Sequence, residues 1–267
     1  AEEREDMSRP LAAGIDLHGT LLDESWEVPA RLKGALEGAL GSVRPFCELF
    51  LCTGNDLTFL HEHLDPDLLK LFDGFVLETG CVVSDGASEE VLVPPETLSS
   101  MKRLEKGLRG RALSGVRYFA RRLATISLFT KTEEGGADPT GLFPDVRNVV
   151  KELGYEEDVL VTHSDVAVDI IPAGFNKFKG LRLASEAPAL IGIADSLNDI
   201  HLIEEADSAF LPANASPALL ETLGANGRKV MSLGASGPAG KRTIAISKFA
   251  HTEAVIQILR FLGQHFQ

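Results

Sequence analysis

Gly14-Ile15-Asp16-Leu17-His18-Gly19-Thr20-Leu21-Leu22 is the stretch on which the reading of this chain turns. The apolar run from Leu11 to Leu17 predicts a buried strand, and Gly19 breaks it. Asp16 then stands at the C-terminal end of that strand, where open α/β sheets place their ligands. A carboxylate there serves as a nucleophile or a metal ligand. Thr20 adds a hydroxyl, and the backbone around Gly19 offers N–H groups to an anion. His18, two residues on, projects to the same side as Asp16 and brings a group able to move a proton.

Three further segments carry chemistry. Phe46 to Cys52 reads as an apolar strand closed by Thr53-Gly54-Asn55, with a helical pattern starting at Asp56. A small hydroxyl and free amides at a helix start suit an anion. Pro172-Ala173-Gly174-Phe175-Asn176-Lys177 sets a lysine just before another helix, with Lys179 as an alternate. A lysine in that position is ordinarily a solvated surface residue. Leu190 to Ala194 is a second buried strand, ending in Asp195-Ser196-Leu197-Asn198-Asp199. Two carboxylates and an amide are hard oxygen donors of the kind Mg²⁺ takes while keeping several waters. The plainer alternative is that Asp195 caps an ordinary strand–helix turn.

In order and spacing these segments resemble the four motifs of the haloacid dehalogenase-like (HAD) superfamily. The family patterns are Asp-x-Asp-Gly-Thr, a Thr or Ser that many relatives continue as Thr-Gly-Arg, Gly-x-x-Lys, and Gly-Asp-x-x-Asn-Asp. The chain departs at His18, which replaces the second Asp, at Asn55, which removes a cationic contact, and at Ala194. The resemblance implies that Asp16 attacks phosphorus and forms an aspartyl-phosphate. It implies Thr53, Gly54 and Asn55 around the phosphoryl group, and Lys177 (or Lys179) neutralising it. It further implies Mg²⁺ held by Asp16, Asp195 and the backbone carbonyl of His18. Asp199 is a further ligand or a partner of the ligands, and Asn198 orients the group. The side chain of His18 takes the acid/base role, with an unperturbed pKa of about 6.5. Asn214 falls where relatives support the phosphate site.

The middle of the chain reads differently from its ends. Residues 11–80 and 189–267 alternate strands (near 11–17, 46–52, 74–78, 189–194 and 208–211) with helices (28–40, opened by Pro29, and 251–264), the mark of a doubly wound parallel α/β sheet. Between them, Val91-Leu92-Val93, Tyr118-Phe119, 124–129, 159–161 and 166–171 read as strands, and 95–109 and 143–154 as helices. The turn His163-Ser164-Asp165 favours a hairpin. The expected organisation is a Rossmann-like core, 1–83 and 173–267, with an α+β insertion, 84–172. In the HAD superfamily an insertion there is a C2-type cap. The subclass with this layout includes sucrose, trehalose and mannosylglycerate pathway phosphatases.

With 267 residues, 44% hydrophobic and 24% charged, the composition is that of a globular protein. A formal net charge of −13 argues against nucleic acid as a partner, and no apolar run approaches a membrane span. Cys47, Cys52 and Cys81 suit neither a disulfide scaffold nor a zinc site, so a reducing cytoplasm is the expected compartment. The acidic Ala1–Asp6 lead is no signal peptide, with Met7 as an alternative start. The stretch Gly234–Thr243 fails as a P-loop, because Ala235 and Arg242 stand where Gly and Ser or Thr are needed. Asn214-Ala215-Ser216 fits a glycosylation sequon without other signs of secretion. His61 and His63 read as solvated helix residues, and His163 and His201 as structural, with approach to a site as the alternative. Arg117, Arg121 and Arg122 read as a solvated basic strand face, with a second anionic group of the substrate as the alternative.

The expected function is Mg²⁺-dependent hydrolysis of a small phosphorylated metabolite, a sugar phosphate being one such substrate. The alternatives turn on His18: a phosphate- or metabolite-binding protein with little turnover, or phosphoryl transfer to an acceptor other than water.

Overall fold

The computed structural model describes residues 9–130, 132–133, 136–164, 166–234 and 243–266. The N-terminal lead with Met7, Asp165 of the hairpin turn, and residues 235–242 of the glycine-rich stretch lie outside the described residues.

The chain opens with β1 (Leu11–Asp16), α1 (Lys33–Val43), β2 (Cys47–Cys52), α2 (Leu57–His63), α3 (Pro66–Leu69), β3 (Gly74–Leu77), β4 (Val82–Ser84) and β5 (Glu89–Val91). There follow α4 (Pro95–Arg109), β6 (Val116–Phe119), β7 (Ile126–Thr130), the short β8 (Thr132–Glu133) and β9 (Gly136–Ala137), α5 (Pro139–Glu152), β10 (Val159–His163) and β11 (Ala167–Pro172). The last stretch holds α6 (Lys177–Ala184), β12 (Ala189–Ile193), α7 (Ile200–Glu205), β13 (Ser208–Leu211), α8 (Pro217–Ala225), β14 (Lys229–Ser232), β15 (Thr243–Ile246) and α9 (His251–His265). Among the described residues no helix is long and apolar enough to cross a membrane.

The large sheet has nine strands in the order β14-β15-β13-β12-β1-β2-β3-β4-β5. Pairing is parallel from β14 through β3, and antiparallel between β3 and β4. The chain leaves β1 toward β2 on one side and returns as β12 on the other. β1 and β12 therefore flank the switch point of a doubly wound sheet, the place such sheets bind ligands. Central strands are buried on both faces and read as continuous apolar runs. All six residues of β1 are buried. On one face Ala12, Cys52, Val76 and Leu190 pack against Leu181 of α6, Leu202 and Ile203 of α7, and Leu219 and Leu223 of α8. Helices α1 and α9 pack on each other.

The second sheet, β10-β11-β7-β6, is antiparallel throughout. Ile126, Leu128, Val168 and Ile170 on alternate positions of its strands meet Met101 and Leu104 of α4 and Val146 of α5. The chain divides into two compact units, Ala1–Ser88 with Asn176–Gln267, and Glu89–Phe175.

Three expected elements shift. The helix after Pro29 begins as a single 3₁₀ turn, Ala30–Leu32, before α1. Helix α5 starts at Pro139, with the Asp138 side chain accepting from the Gly141 amide at 2.7 Å, so that Pro144 falls inside it. The strand expected at Val91-Leu92-Val93 is Glu89–Val91 instead, an edge strand of the large sheet and not part of the insertion's own sheet.

Candidate active site

Asp16 ends β1, and the chain then turns tightly. The Leu21 amide donates to the carbonyls of Asp16 and Leu17, at 3.2 and 3.0 Å, and the Leu22 amide to Leu17 at 2.9 Å. Gly19 carries the turn with φ of +78°, and a Cβ there would lie 2.4 Å from Asp195 Oδ2. The loops after β1 and β12 thus touch, and Thr20 Oγ1 donates to Asp195 Oδ1 at 3.0 Å. The Gly19 carbonyl accepts from Asn214 Nδ2 at 2.8 Å and faces His251 Nδ1 at 3.2 Å, while the His251 amide donates to Asn214 Oδ1 at 3.1 Å. Thr252 Oγ1 donates to the Leu21 carbonyl at 2.6 Å.

Lys177 is the first residue of α6. The Asn176 side chain caps that helix by accepting from the Lys179 amide at 2.8 Å. Lys177 is buried, and its Nζ lies 2.5 Å from Asp16 Oδ1 and 2.7 Å from Asp199 Oδ1. Lys179 is exposed, so Lys177 is the lysine in the carboxylate cluster. Gly180, one turn on, lets α6 approach closely, since a Cβ there would meet the Gly80 Cα at 2.6 Å. Gly80, at φ +90°, has no room for a Cβ either, which would fall 2.0 Å from the Asn176 carbonyl.

Thr53 follows β2 and is buried. Its Oγ1 accepts from the Asn55 amide at 3.2 Å and from Asn55 Nδ2 at 3.3 Å. Two donors on the oxygen leave the hydroxyl proton to be offered elsewhere. Asn55 therefore orients Thr53. The loop is held by the turn after β3: Thr53 donates to Val76, Thr79 to Thr53, and Glu78 to the Asn55 carbonyl at 2.8 to 3.0 Å. Glu78 and Thr79 adopt left-handed φ of 46° and 56° to do so. Such conformations cost about 1–3 kcal/mol each and persist where surrounding structure enforces them.

Asp16, Asp195 and Asp199 face one buried cation, Lys177. Burial raises the pKa of Asp16, against the pull of Lys177 and with the help of the Asp195 charge. Burial likewise raises Asp195, with Asp199 adding to it, and raises Asp199 to about 6. For Lys177 burial acts to lower the pKa, but the Asp16 and Asp199 charges win and hold it above the ordinary value. Three carboxylates against one ammonium leave a surplus of two negative charges. That donor set fits a divalent cation with hard oxygen preference. Among the described residues no group of three or more His, Cys, Asp or Glu side chains is arranged as a metal site. A cation here would rely on few carboxylates, a carbonyl and waters, a ligand set that Mg²⁺ tolerates. The Gly19 carbonyl already has two partners, and Asp199 is engaged by Lys177 and by Ser196 Oγ at 3.3 Å. Asn198 is exposed in the 3₁₀ turn Leu197–Asp199.

His18 is half-buried among rings. Its centroid is 4.7 Å from Trp26 and 5.5 Å from Phe59. His63 is exposed but stacks on Phe59 at 4.1 Å, so it belongs to this group and is not merely solvated. Burial, then the charges of Lys177 and His63, push the His18 pKa down to about 4. The titration near neutrality expected from the bare side chain is thus displaced toward acid.

Other expected candidates have partners of their own. His201 pairs with Glu205 one turn along α7, His163 packs edge-on to Phe143, and Arg117 lies over Tyr118. Cys47, Cys52 and Cys81 are free and buried, with thiols raised by burial and therefore unreactive. The sequence reading missed His251, Thr252 and Trp26, and the left-handed backbone of Glu78 and Thr79. Asn-Ala at 214–215 was the one local signal for the network behind Gly19.

No family model and no curated protein matches the chain. Solved structures do. The sucrose-phosphatase of Synechocystis, in complex with sucrose and phosphate, aligns at a TM-score of 0.64 and 20% identity over 98% of this chain and 100% of that one. A haloacid dehalogenase-like hydrolase from Bacteroides thetaiotaomicron aligns at 0.59 and 13% over 95% and 99%. A Thermoplasma acidophilum protein aligns at 0.65 and 17% over 96% and 99%. Full-length agreement of that kind, with the segments after β1, β2 and β12 at strand ends and Lys177 opening α6, gives this chain the fold of the haloacid dehalogenase-like hydrolases.

Proposed function

We propose that the chain is a Mg²⁺-dependent phosphatase of a small phosphorylated metabolite, working through an aspartyl-phosphate on Asp16. The observation that carries the reading is Lys177 bridging Asp16 and Asp199 beside Asp195, at the switch point of the sheet. Lys177, 2.5 Å from Asp16, works against the burial that raises this carboxyl and so favours the ionised form a nucleophile needs. Asp16, Asp195 and the His18 carbonyl would hold Mg²⁺, which when bound supplies charge stabilisation to the phosphoryl oxygens.

An Asp16 oxygen attacks phosphorus in line, and the bond from phosphorus to the leaving oxygen breaks. Lys177 and the Thr53 hydroxyl stabilise the charge on the equatorial oxygens. The leaving oxygen takes a proton. Water then attacks phosphorus, the bond to Asp16 breaks, and phosphate leaves. At neutral pH the His18 imidazole is neutral and ready to accept the proton of that water. Donation to the leaving group needs imidazolium, which the two negative charges of an arriving phosphoryl dianion favour. Gly54, Asn55 and Asn198 shape the loops around the phosphoryl group. The insertion, which carries none of these residues, is assigned to substrate selection. The sugar named with the Synechocystis structure makes phosphorylated sugars the first substrates to try.

A second reading is favoured by the same His18. An imidazole this hard to protonate is a poor acid, and the chain then binds phosphorylated ligands with little turnover. The deciding experiment is a screen of phosphorylated metabolites with Mg²⁺, reading free phosphate from wild type and Asp16→Asn. Release by wild type and none by the variant is expected. Equal release by both overturns the nucleophile. Tight binding of phosphorylated ligands without release by wild type selects the second reading.

A further inference from the structure

We propose that Trp26 is a positioning residue for His18, forming with Phe59 an aromatic clamp that fixes the imidazole. The inference rests on the reading of His18 as the proton-transfer group. Trp26 meets the His18 ring edge-on, at 68° between planes, and Phe59 meets it tilted at 56°. Trp26 and Phe59 approach each other to 6.5 Å, and His63 backs Phe59 at 12°.

The case for a clamp comes from what His18 lacks. A proton-transferring imidazole is ordinarily oriented by a hydrogen bond from its second nitrogen to a carboxylate or carbonyl. Here His18 Nε2 is buried and makes no hydrogen bond among the described residues. Rings take the place of that bond, since edge-to-face contacts have a preferred geometry and so restrict rotation. Trp26 is also held in an unusual way. It is 44% exposed, yet its backbone sits at φ 63°, a conformation bulky residues avoid. The Trp26 amide donates to the Asp23 carbonyl, the Asp23 amide donates to Glu27, and the Asp23 side chain accepts from the Ser25 and Glu27 amides at 2.8 and 3.3 Å. The turn 23–27 thus presents this indole to His18.

The test has an activity arm and a spectroscopic arm. Wild type, W26A, W26F and F59A are compared with Mg²⁺ on an alkyl phosphate and on p-nitrophenyl phosphate, whose leaving group needs no proton. W26A should lose kcat by about 10–10² on the alkyl phosphate, the lower part of what general acid–base catalysis contributes. It should keep most activity on the aryl phosphate with KM little changed, and W26F should restore most of the loss. Equal losses on both substrates, or a change in KM alone, overturn the proposal. Independently, the His18 ring protons, assigned with H18Q, should show ring-current shifts that W26A and F59A reduce and W26F retains. Unchanged shifts in W26A overturn the clamp. If wild type hydrolyses neither substrate, the phosphatase reading fails, and the ring-current arm alone decides whether the clamp exists.

Discussion

Thr20 Oγ1 donates to Asp195 Oδ1 at 3.0 Å across 175 residues of sequence. The bond ties the loop after β1 to the loop after β12, two neighbouring strands at the switch point of the sheet. It makes the position of one carboxylate depend on the loop that carries the other. Chemistry needing both within one coordination sphere is thereby set by local backbone.

Gly19→Ala tests that dependence. The new Cβ would lie 2.4 Å from Asp195 Oδ2, on backbone at φ +78°. We expect Mg²⁺ affinity to fall at least tenfold and stability to drop by about 1–3 kcal/mol, the cost of such strained backbone. Calorimetric titration and urea unfolding give the two numbers. Wild-type Mg²⁺ affinity in the variant would contradict the contact.

Lys177→Met removes the cation that Asp16 and Asp199 share. Removing one partner of a buried pair costs about 3–5 kcal/mol, because the charges left behind have no compensation. The loss should shrink as pH falls, since protonation of the two carboxylates relieves it. Urea unfolding at pH 7.5 and pH 5 checks this. A loss independent of pH would mean that packing and not charge sets the effect.

Asp195→Asn should stabilise the protein when chelator is present. Burial and the charge of Asp199 raise the Asp195 pKa. A carboxyl raised on folding favours the folded state below its unfolded pKa of 3.8, and that contribution is lost as pH rises through the folded value. At pH 7 the wild type carries this cost and the variant does not. A higher Tm for the variant in EDTA at pH 7, converging with wild type toward pH 4, is expected. Mg²⁺ should raise the Tm of wild type only. The reverse order in EDTA would refute the charge argument.

The acid limb of kcat, where attack of water on the aspartyl-phosphate limits the rate, should lie well below the ordinary histidine range. His18 is charged only below its pKa, and burial with the Lys177 and His63 charges moves that to about 4. Activity is therefore retained at pH 5.5 and falls below it, as the base is lost. His18→Ala should cost about 10²–10⁴-fold in rate. His18→Asp should keep or raise activity. A limb at pH 6.5 or above that vanishes in His18→Ala would show that the working imidazole is not depressed.

The parallel core was legible because strands buried on both faces read as unbroken apolar runs stopped by Gly or a polar cluster. Leu11–Leu17 and Leu190–Ala194 are of this kind, and their ends gave Asp16 and Asp195 directly. Edge strands gave no such signal. Lys229-Val230-Met231-Ser232 is largely solvent-accessible, and Glu89-Glu90-Val91 is short and charged, so neither reads as a strand. Lys177 could be placed by its spacing from Gly174, while Lys179 was separated from it only by burial. The left-handed φ of Glu78 and Thr79 was hidden because residues other than glycine leave no mark of it. His251 meets Gly19 from 232 residues away, and no local pattern encodes that. The lowered pKa of His18 was not legible for the same reason: burial, Lys177 and His63 act on it from separate segments.

Gly80 and Gly180 touch one another below the lysine, and any side chain at either would push the first turn of α6 outward. In a deep mutational scan these two positions should be as intolerant as Asp16, although neither meets a reacting atom. The map of intolerance would then extend along α6 and the Glu78–Gly80 turn and outgrow the chemistry. A footprint inferred from such a map would be too large on that flank, and inhibitors aimed at it would find backbone where a subsite had been drawn.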